Sequence, residues 1–212
     1  MPTPPDRRSR KRLATREAIS DAATRLFAER GFDQVTVEEI ATAADVGRKT
    51  VFNHFPRKED MFFDRIEEFG EILQGALQQR DSRFSSVEAL RQLAHRLVAE
   101  DSYYVNFSAV SHSWIETMVG SETLQARARA IRDETAQMIA EALAEAAGQT
   151  TTDPSAVLAA GLLMATWTVA FVQARRTFQQ QGDAVQAQAV FLAIIDQGTV
   201  GIDAAMQGTP YV

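Results

Sequence analysis

VTVEEIATAADVGRKTVFNHFPRKED, residues Val35–Asp60, carries two short amphipathic segments on either side of a break at Asp45–Gly47. In the first, Val37, Ile40, Ala41 and Ala44 fall at i, i+3, i+4 and i+7, the spacing of one helical face. Thr36 precedes it with Glu39 three residues on, a capping-box pattern. In the second, Val51 and Phe55 lie four apart and leave Arg48, Lys49 and Asn53 on the other side. Gly47 has access to backbone angles closed to other residues, which makes it the expected site of the sharp turn. The pattern is helix, turn and an exposed short helix with two cations and an amide near its start. A helix-turn-helix offers side chains to a DNA major groove in this way.

The whole chain permits that reading. Its 212 residues and 45% hydrophobic content suffice to bury a core in one or two domains. The absence of cysteine excludes disulfides, thiolate metal sites and cysteine nucleophiles. The basic N-terminus lacks the apolar core of a signal peptide, so the expected location is the cytoplasm. Net charge is −6 but unevenly placed: residues 1–60 hold 12 basic and 10 acidic side chains, the remainder 10 and 18. A cationic end on an acidic body fits site-directed DNA binding, because the body opposes non-specific sticking; the plainer alternative is a solvated surface of mixed charge.

N-terminal to the two segments, residues 1–11 are rich in Pro and Arg without periodicity and are expected to form a disordered basic arm. Arg7, Arg8, Arg10, Lys11 and Arg12 would follow phosphates or enter a minor groove, or else serve as a solubilising tail. From Arg12 to Arg30 a helix is predicted, with Ile19, Ala22, Ala23, Leu26 and Phe27 as its stripe. Gly31 ends it and Phe32 folds back.

LFAERGFDQVTVEEIATAADVGRKTVFNHFPRKEDMF, within a span of about Thr15 to Phe63, resembles the DNA-binding domain of the TetR family of transcriptional repressors. The likeness lies in the helix–Gly–aromatic junction, the T-V-x-x-I-A run, the T-hydrophobic-aromatic-x-H-F segment and the K-E that follows. It implies that Thr36 caps the second helix and touches a phosphate, and that Arg48, Lys49 and Thr50 face base edges or nearby backbone. It also implies that Asn53, His54 and Lys58 hold phosphates. Side-chain chemistry agrees, since Arg and Lys suit guanine O6 and N7 while Asn and Thr read edges or bind phosphate. His54 also admits a purely structural role at the end of a short helix. The chain departs from the family at the turn, where Asp45 and Gly47 replace the commoner Gly and Ser and remove a capping hydroxyl. It also has Phe52 where Tyr is common, which leaves a ring for a thymine methyl but no hydroxyl.

Beyond Pro56 a single longer helix is expected, with Phe62, Ile66, Phe69 and Leu73 on one face and Gly70 and Gly75 as close-packing points or a bend. Ser85 with Glu88 forms a second capping box before a helix carrying Leu90, Leu93, Ala94, Leu97 and Val98. Further helices are expected over Ser102–Met118, from Ser121 to Ala147, and from Asp153-Pro154 onward. The run Ala156–Val172 is nearly all apolar; it is short and Ala-rich for a membrane span, so it is expected to be buried all round, between the core and a partner subunit. A last helix, Ala187–Met206, offers Gly198 and Gly201 for close approach. By order and position these last two helices correspond to the dimerising bundle of the family.

The expected architecture is therefore all-α: residues 12–60 as a three-helix DNA reader, then 61–212 as about six helices for ligand binding and dimerisation. No catalytic motif, metal-spaced histidine pair or cofactor loop is present, so neither enzyme activity, metal nor cofactor is expected. Tyr104, Phe107, Trp114, Met118, Trp167 and Phe171 are candidates to line an apolar effector cavity, with His95, His112 or Tyr103 as orienting polar groups; the alternative is plain core packing. The expected function is a DNA-binding regulator, most simply a homodimeric repressor released from a near-palindromic operator by a small, mainly apolar effector. A helical adaptor that binds only protein is the rival reading.

Overall fold

The computed structural model describes residues 6–81 and 83–211. Among them lie ten α-helices and no strand: α1 (Arg7–Arg30), α2 (Val37–Ala43), α3 (Arg48–His54), α4 (Lys58–Phe62), α5 (Asp64–Gln78), α6 (Ser86–Ala99), α7 (Ala109–Gly120), α8 (Glu122–Ala146), α9 (Pro154–Gln181) and α10 (Ala184–Ala205). A single 3-10 turn, Tyr103–Val105, precedes α7. The chain divides into two compact units, Met1–Glu67 with Ser113–Arg127, and Glu68–His112 with Ala128–Val212. The first unit thus takes in a segment of the C-terminal body that the sequence gives no reason to separate.

Helix α1 begins earlier than expected. The Asp6 carboxylate accepts from the Ser9 N–H at 2.7 Å, and the helix runs on without interruption to Gly31. Capping a new helix end costs less than nucleating a separate one, so Arg7, Arg8, Arg10, Lys11 and Arg12 stand exposed on a helix. Residues 1–5 of the expected arm lie outside the described residues. At the other end Gly31 adopts φ 79°, and Phe32 folds back to put its ring 5.1 Å from Phe27. Ile19, Ala23, Ile40 and Val51 are wholly buried in this first unit, where each large apolar side chain is worth about 1.5–3 kcal/mol.

The predicted long helix after Pro56 is two helices. Phe63 at the break has φ −99° and ψ 13°, which buries its own ring and directs Asp64 to the guanidinium of Arg16. Gly70 and Gly75 are not close-packing points, since a Cβ at either would meet nothing within 4 Å. Ser102–Met118 is also broken: Ser111 Oγ accepts from the Ser108 N–H at 2.9 Å, and Ser108 Oγ from the Ser111 N–H at 3.3 Å. These reciprocal bonds start α7 afresh. Ser85 caps α6 at 3.1 Å, but only half a capping box forms, because the Glu88 carboxylate turns to Arg91 at 2.7 Å.

In the second unit α9 and α10 pack most closely at Gly198, where a Cβ would come within 2.2 Å of Thr166 Cγ2. Asp153 caps α9 ahead of Pro154, and its Oδ2 accepts from the Tyr211 hydroxyl at 2.7 Å. Within the protomer, helix α9 buries one face. Ala156, Ala159, Leu163, Trp167 and Ala170 face inward, whereas Val157, Leu158, Val169 and Val172 are 43–54% exposed. Helices α9 and α10 are each long and apolar enough to cross a membrane by composition, but both bury one face in the second unit.

Candidate nucleic-acid interface

Helix α2 is fixed before it begins. Thr36 Oγ1 accepts from the Glu39 N–H, and the Glu39 carboxylate accepts from the Thr36 N–H at 2.8 Å, completing the capping box. Arg30 adds a bond to Glu39 at 2.7 Å. The Thr36 N–H first, and then Arg30, hold the Glu39 carboxyl down at about 2. It is ionised at any working pH, opposite the positive end of α2.

The turn differs from expectation. Asp45, not Gly47, takes the left-handed conformation, with φ 52°. Asp tolerates that region better than most residues. Gly47 is extended (φ −75°, ψ 149°) and serves as the N-cap of α3 without a side-chain bond.

Helix α3 is anchored by its apolar face, where Val51 and Phe55 are almost wholly buried. Arg16 locks its end: one guanidinium nitrogen donates to the His54 carbonyl at 2.9 Å, another pairs with Asp64, and the group lies 4.2 Å above the Phe55 ring. The opposite face presents Arg48, Lys49, Phe52 and Asn53 to solvent, with Thr50 and His54 half-buried. Arg48 extends over the Phe52 ring at 5.4 Å and pairs with Glu38 of α2 at 2.7 Å. Both partners are more than half exposed, so the pair is worth little to stability and yields readily to a phosphate or base.

One expected phosphate ligand sits differently. Lys58 turns inward, donating to the carbonyls of Phe32 at 2.7 Å and Val35 at 2.8 Å with its ammonium 4.1 Å from the Phe32 ring. It ties the α1–α2 connection together and does not point outward as a phosphate ligand. Burial, ahead of the opposing charges of Asp33 and Glu59, lowers its pKa. His54 is also held below its ordinary value, by burial first and then by the charges of Arg12 and Arg16. Arg16 itself carried no distinguishing sequence signal, because its partners lie 38 and 48 residues away.

Residues 19–64 match the family model described as bacterial regulatory proteins, tetR family. Over 144 residues the chain is 31% identical to MftR of Mycobacterium tuberculosis, named as a mycofactocin biosynthesis transcriptional regulator; the match covers 68% of this chain and 71% of that protein. The chain belongs to the TetR family. It is therefore a DNA-binding transcriptional regulator and not an enzyme. A second relative, the HTH-type regulator TcmR of Streptomyces glaucescens, is 34% identical over 89 residues, 42% of this chain and 39% of TcmR. The fold is similar to that of SmeT, repressor of the Stenotrophomonas maltophilia multidrug efflux pump SmeDEF. That likeness has a TM-score of 0.54 at 22% identity, over 88% of this chain and 89% of SmeT.

The body residues singled out from sequence separate into three groups. Tyr104, Phe107, Trp167 and Phe171 join one aromatic cluster in the second unit, completed by Phe69, 5.0 Å from Tyr104, and Phe191, 5.0 Å from Phe171. Tyr103 meets Tyr104 edge-on at 5.9 Å but is 57% exposed, and His112 reaches Gln179 of α9 at 3.1 Å. His95 lies elsewhere, 2.8 Å from Asp196 of α10 and beside Arg91, in a partly exposed charged cluster. Trp114 and Met118 belong to the first unit, where Trp114 stacks on Phe62 at 4.7 Å. Trp114 is thus core to the DNA-binding unit, its partner supplied by α4. Phe69 belongs to the apolar stripe after Pro56, but nothing local ties it or Phe191 to Trp167.

Proposed function

We propose that this TetR-family regulator is a homodimeric repressor that binds a near-palindromic operator through α3 and is released by a small, mainly apolar effector. One observation carries the DNA half. Arg48, Lys49, Phe52 and Asn53 stand outward on a helix held by Val51, Phe55 and the Arg16 bonds. In this reading Arg48, Lys49 and Thr50 meet base edges, Phe52 meets a thymine methyl, and Asn53, His54 and Thr36 meet the backbone. The exposed helical cations from Arg7 to Arg12 add phosphate contacts on the flank.

Dimerisation is supported by the outward apolar stripe of α9 and by Val185 and Val200 of α10, 75% and 70% exposed. A patch of this kind on a soluble protein marks an interaction surface. Two α3 helices then read successive major grooves about 34–36 Å apart. The aromatic cluster around Trp167 supplies the apolar surroundings for an effector. Such a molecule acts by its differential affinity for the form whose α3 helices do not match the groove spacing. Cytoplasmic residence follows from access to DNA.

Selection of bound sites from a random duplex pool tests the reading. It should enrich a sequence with two-fold symmetry and half-sites about 10 base pairs apart, or a multiple of that. A protein-only adaptor would enrich nothing.

A further inference from the structure

Trp167, Phe171, Arg175 and Gln179 follow one another at four-residue steps along α9 and so share a helix face. The residues flanking Arg175 on that face meet α7 and the segment just before it: the Phe171 ring lies 6.5 Å from Phe107, and Gln179 bonds His112 of α7 at 3.1 Å. Arg175 lies between these contacts, and its Nη1 is buried with no hydrogen-bond partner among the described residues. A guanidinium N–H removed from water without an acceptor destabilises the folded state, whereas a bond to an anion there is among the strongest a protein makes. The neighbouring surface is aromatic: the Trp167, Phe171 and Phe191 rings lie 5.0–6.1 Å from one another.

We propose that Arg175 is the recognition residue for a single carboxylate at one end of an otherwise apolar effector, whose hydrocarbon or aryl part packs against the Trp167–Phe171–Phe191 cluster. The unpaired donor defines the missing acceptor, and the planar fork of arginine matches a carboxylate better than a neutral oxygen. This deepens the effector reading above and rests on it. It also gives a role to an arginine whose Nη1 is buried on a helix that is apolar for most of its length.

The test uses the full chain, with a panel of straight-chain fatty acids and aryl-acetic acids, each beside its methyl ester and its sulfonate analogue. Wild-type protein, Arg175→Met and Arg175→Lys are compared by thermal shift and by titration. At least one acid should raise the wild-type Tm and release the selected duplex, its ester should not, and Arg175→Met should weaken binding of that acid about tenfold or more. Arg175→Met alone should melt at or above the wild type, because it relieves an unpaired buried donor; a structural arginine would give a lower Tm. A sulfonate that binds as well as the acid narrows the site to an anion, not a carboxylate, and overturns the stated class. Esters that bind as tightly as acids, a panel with no binder, or acid affinity unchanged in Arg175→Met would each overturn the proposal. Failure to select any duplex would instead sink the operator reading and leave acid binding at Arg175 standing.

Discussion

Exposure decides what each ion pair does. Arg127 Nε lies 3.0 Å from Asp60 Oδ1, and the two side chains are only 14% and 8% exposed. The second Asp60 oxygen accepts from the Arg57 N–H at 3.1 Å, so the carboxylate also starts α4. Arg127→Ala leaves that charge buried and under-partnered, and should cost about 3–5 kcal/mol in chemical denaturation. The Arg48–Glu38 pair, exposed on both sides, is geometrically similar but contributes near zero and is free to exchange partners. His54 gives a pH signature. Its folded-state pKa lies below the ordinary 6.5, so between the two values the unfolded chain binds more protons. Its contribution is intact above pH 6.5 and is lost as pH falls through the lowered value. Urea midpoints at about pH 7.5 and about pH 5.5 should therefore differ more in the wild type than in His54→Gln.

Helix by helix, the sequence was informative where signals are local. The apolar spacing of α2 and α3, the Thr36 and Asp153 caps and the Gly31 terminus all depend on neighbours within a turn or two, and all appear as read. Where a distant contact competes, local reading failed. The Phe63 break depends on Arg16 drawing Asp64 across 48 residues, and Lys58 finds its acceptors 26 and 23 residues away. Glycine carries the same lesson. Gly70, Gly75 and Gly198 are alike on paper, yet only Gly198 sits where a Cβ would collide with Thr166. Gly198→Ala should destabilise the chain by about 1–3 kcal/mol through overpacking. The reverse sign applies at Gly70, where alanine gains up to about 1 kcal/mol of helix propensity. Paired melting curves of the two variants check both signs.

For the whole molecule, the aromatic cluster was legible only in part. Trp167 and Phe171 announce themselves as large side chains on an apolar helix, but Trp114 looks equivalent and packs on Phe62 instead. No periodicity separates them, because the first unit joins Met1–Glu67 to Ser113–Arg127 from the middle of the chain. In the proposed homodimer the exposed valines of α9 and α10 would link fold to assembly. Val200→Glu should give a folded monomer by light scattering and circular dichroism, since Val200 is 70% exposed in the protomer. That monomer should lose most operator affinity, because a single α3 contacts only one half-site.

The central claim is that α3 reads DNA, and the most direct measurement is binding of the selected duplex across a salt series by wild type and Arg48→Ala/Lys49→Ala. The double variant removes two cations per protomer, which for a dimer on two half-sites is up to about four phosphate-equivalent contacts. It should fold normally, bind more weakly by about tenfold or more, and show a visibly shallower salt slope. Unchanged affinity with an unchanged slope would contradict the account.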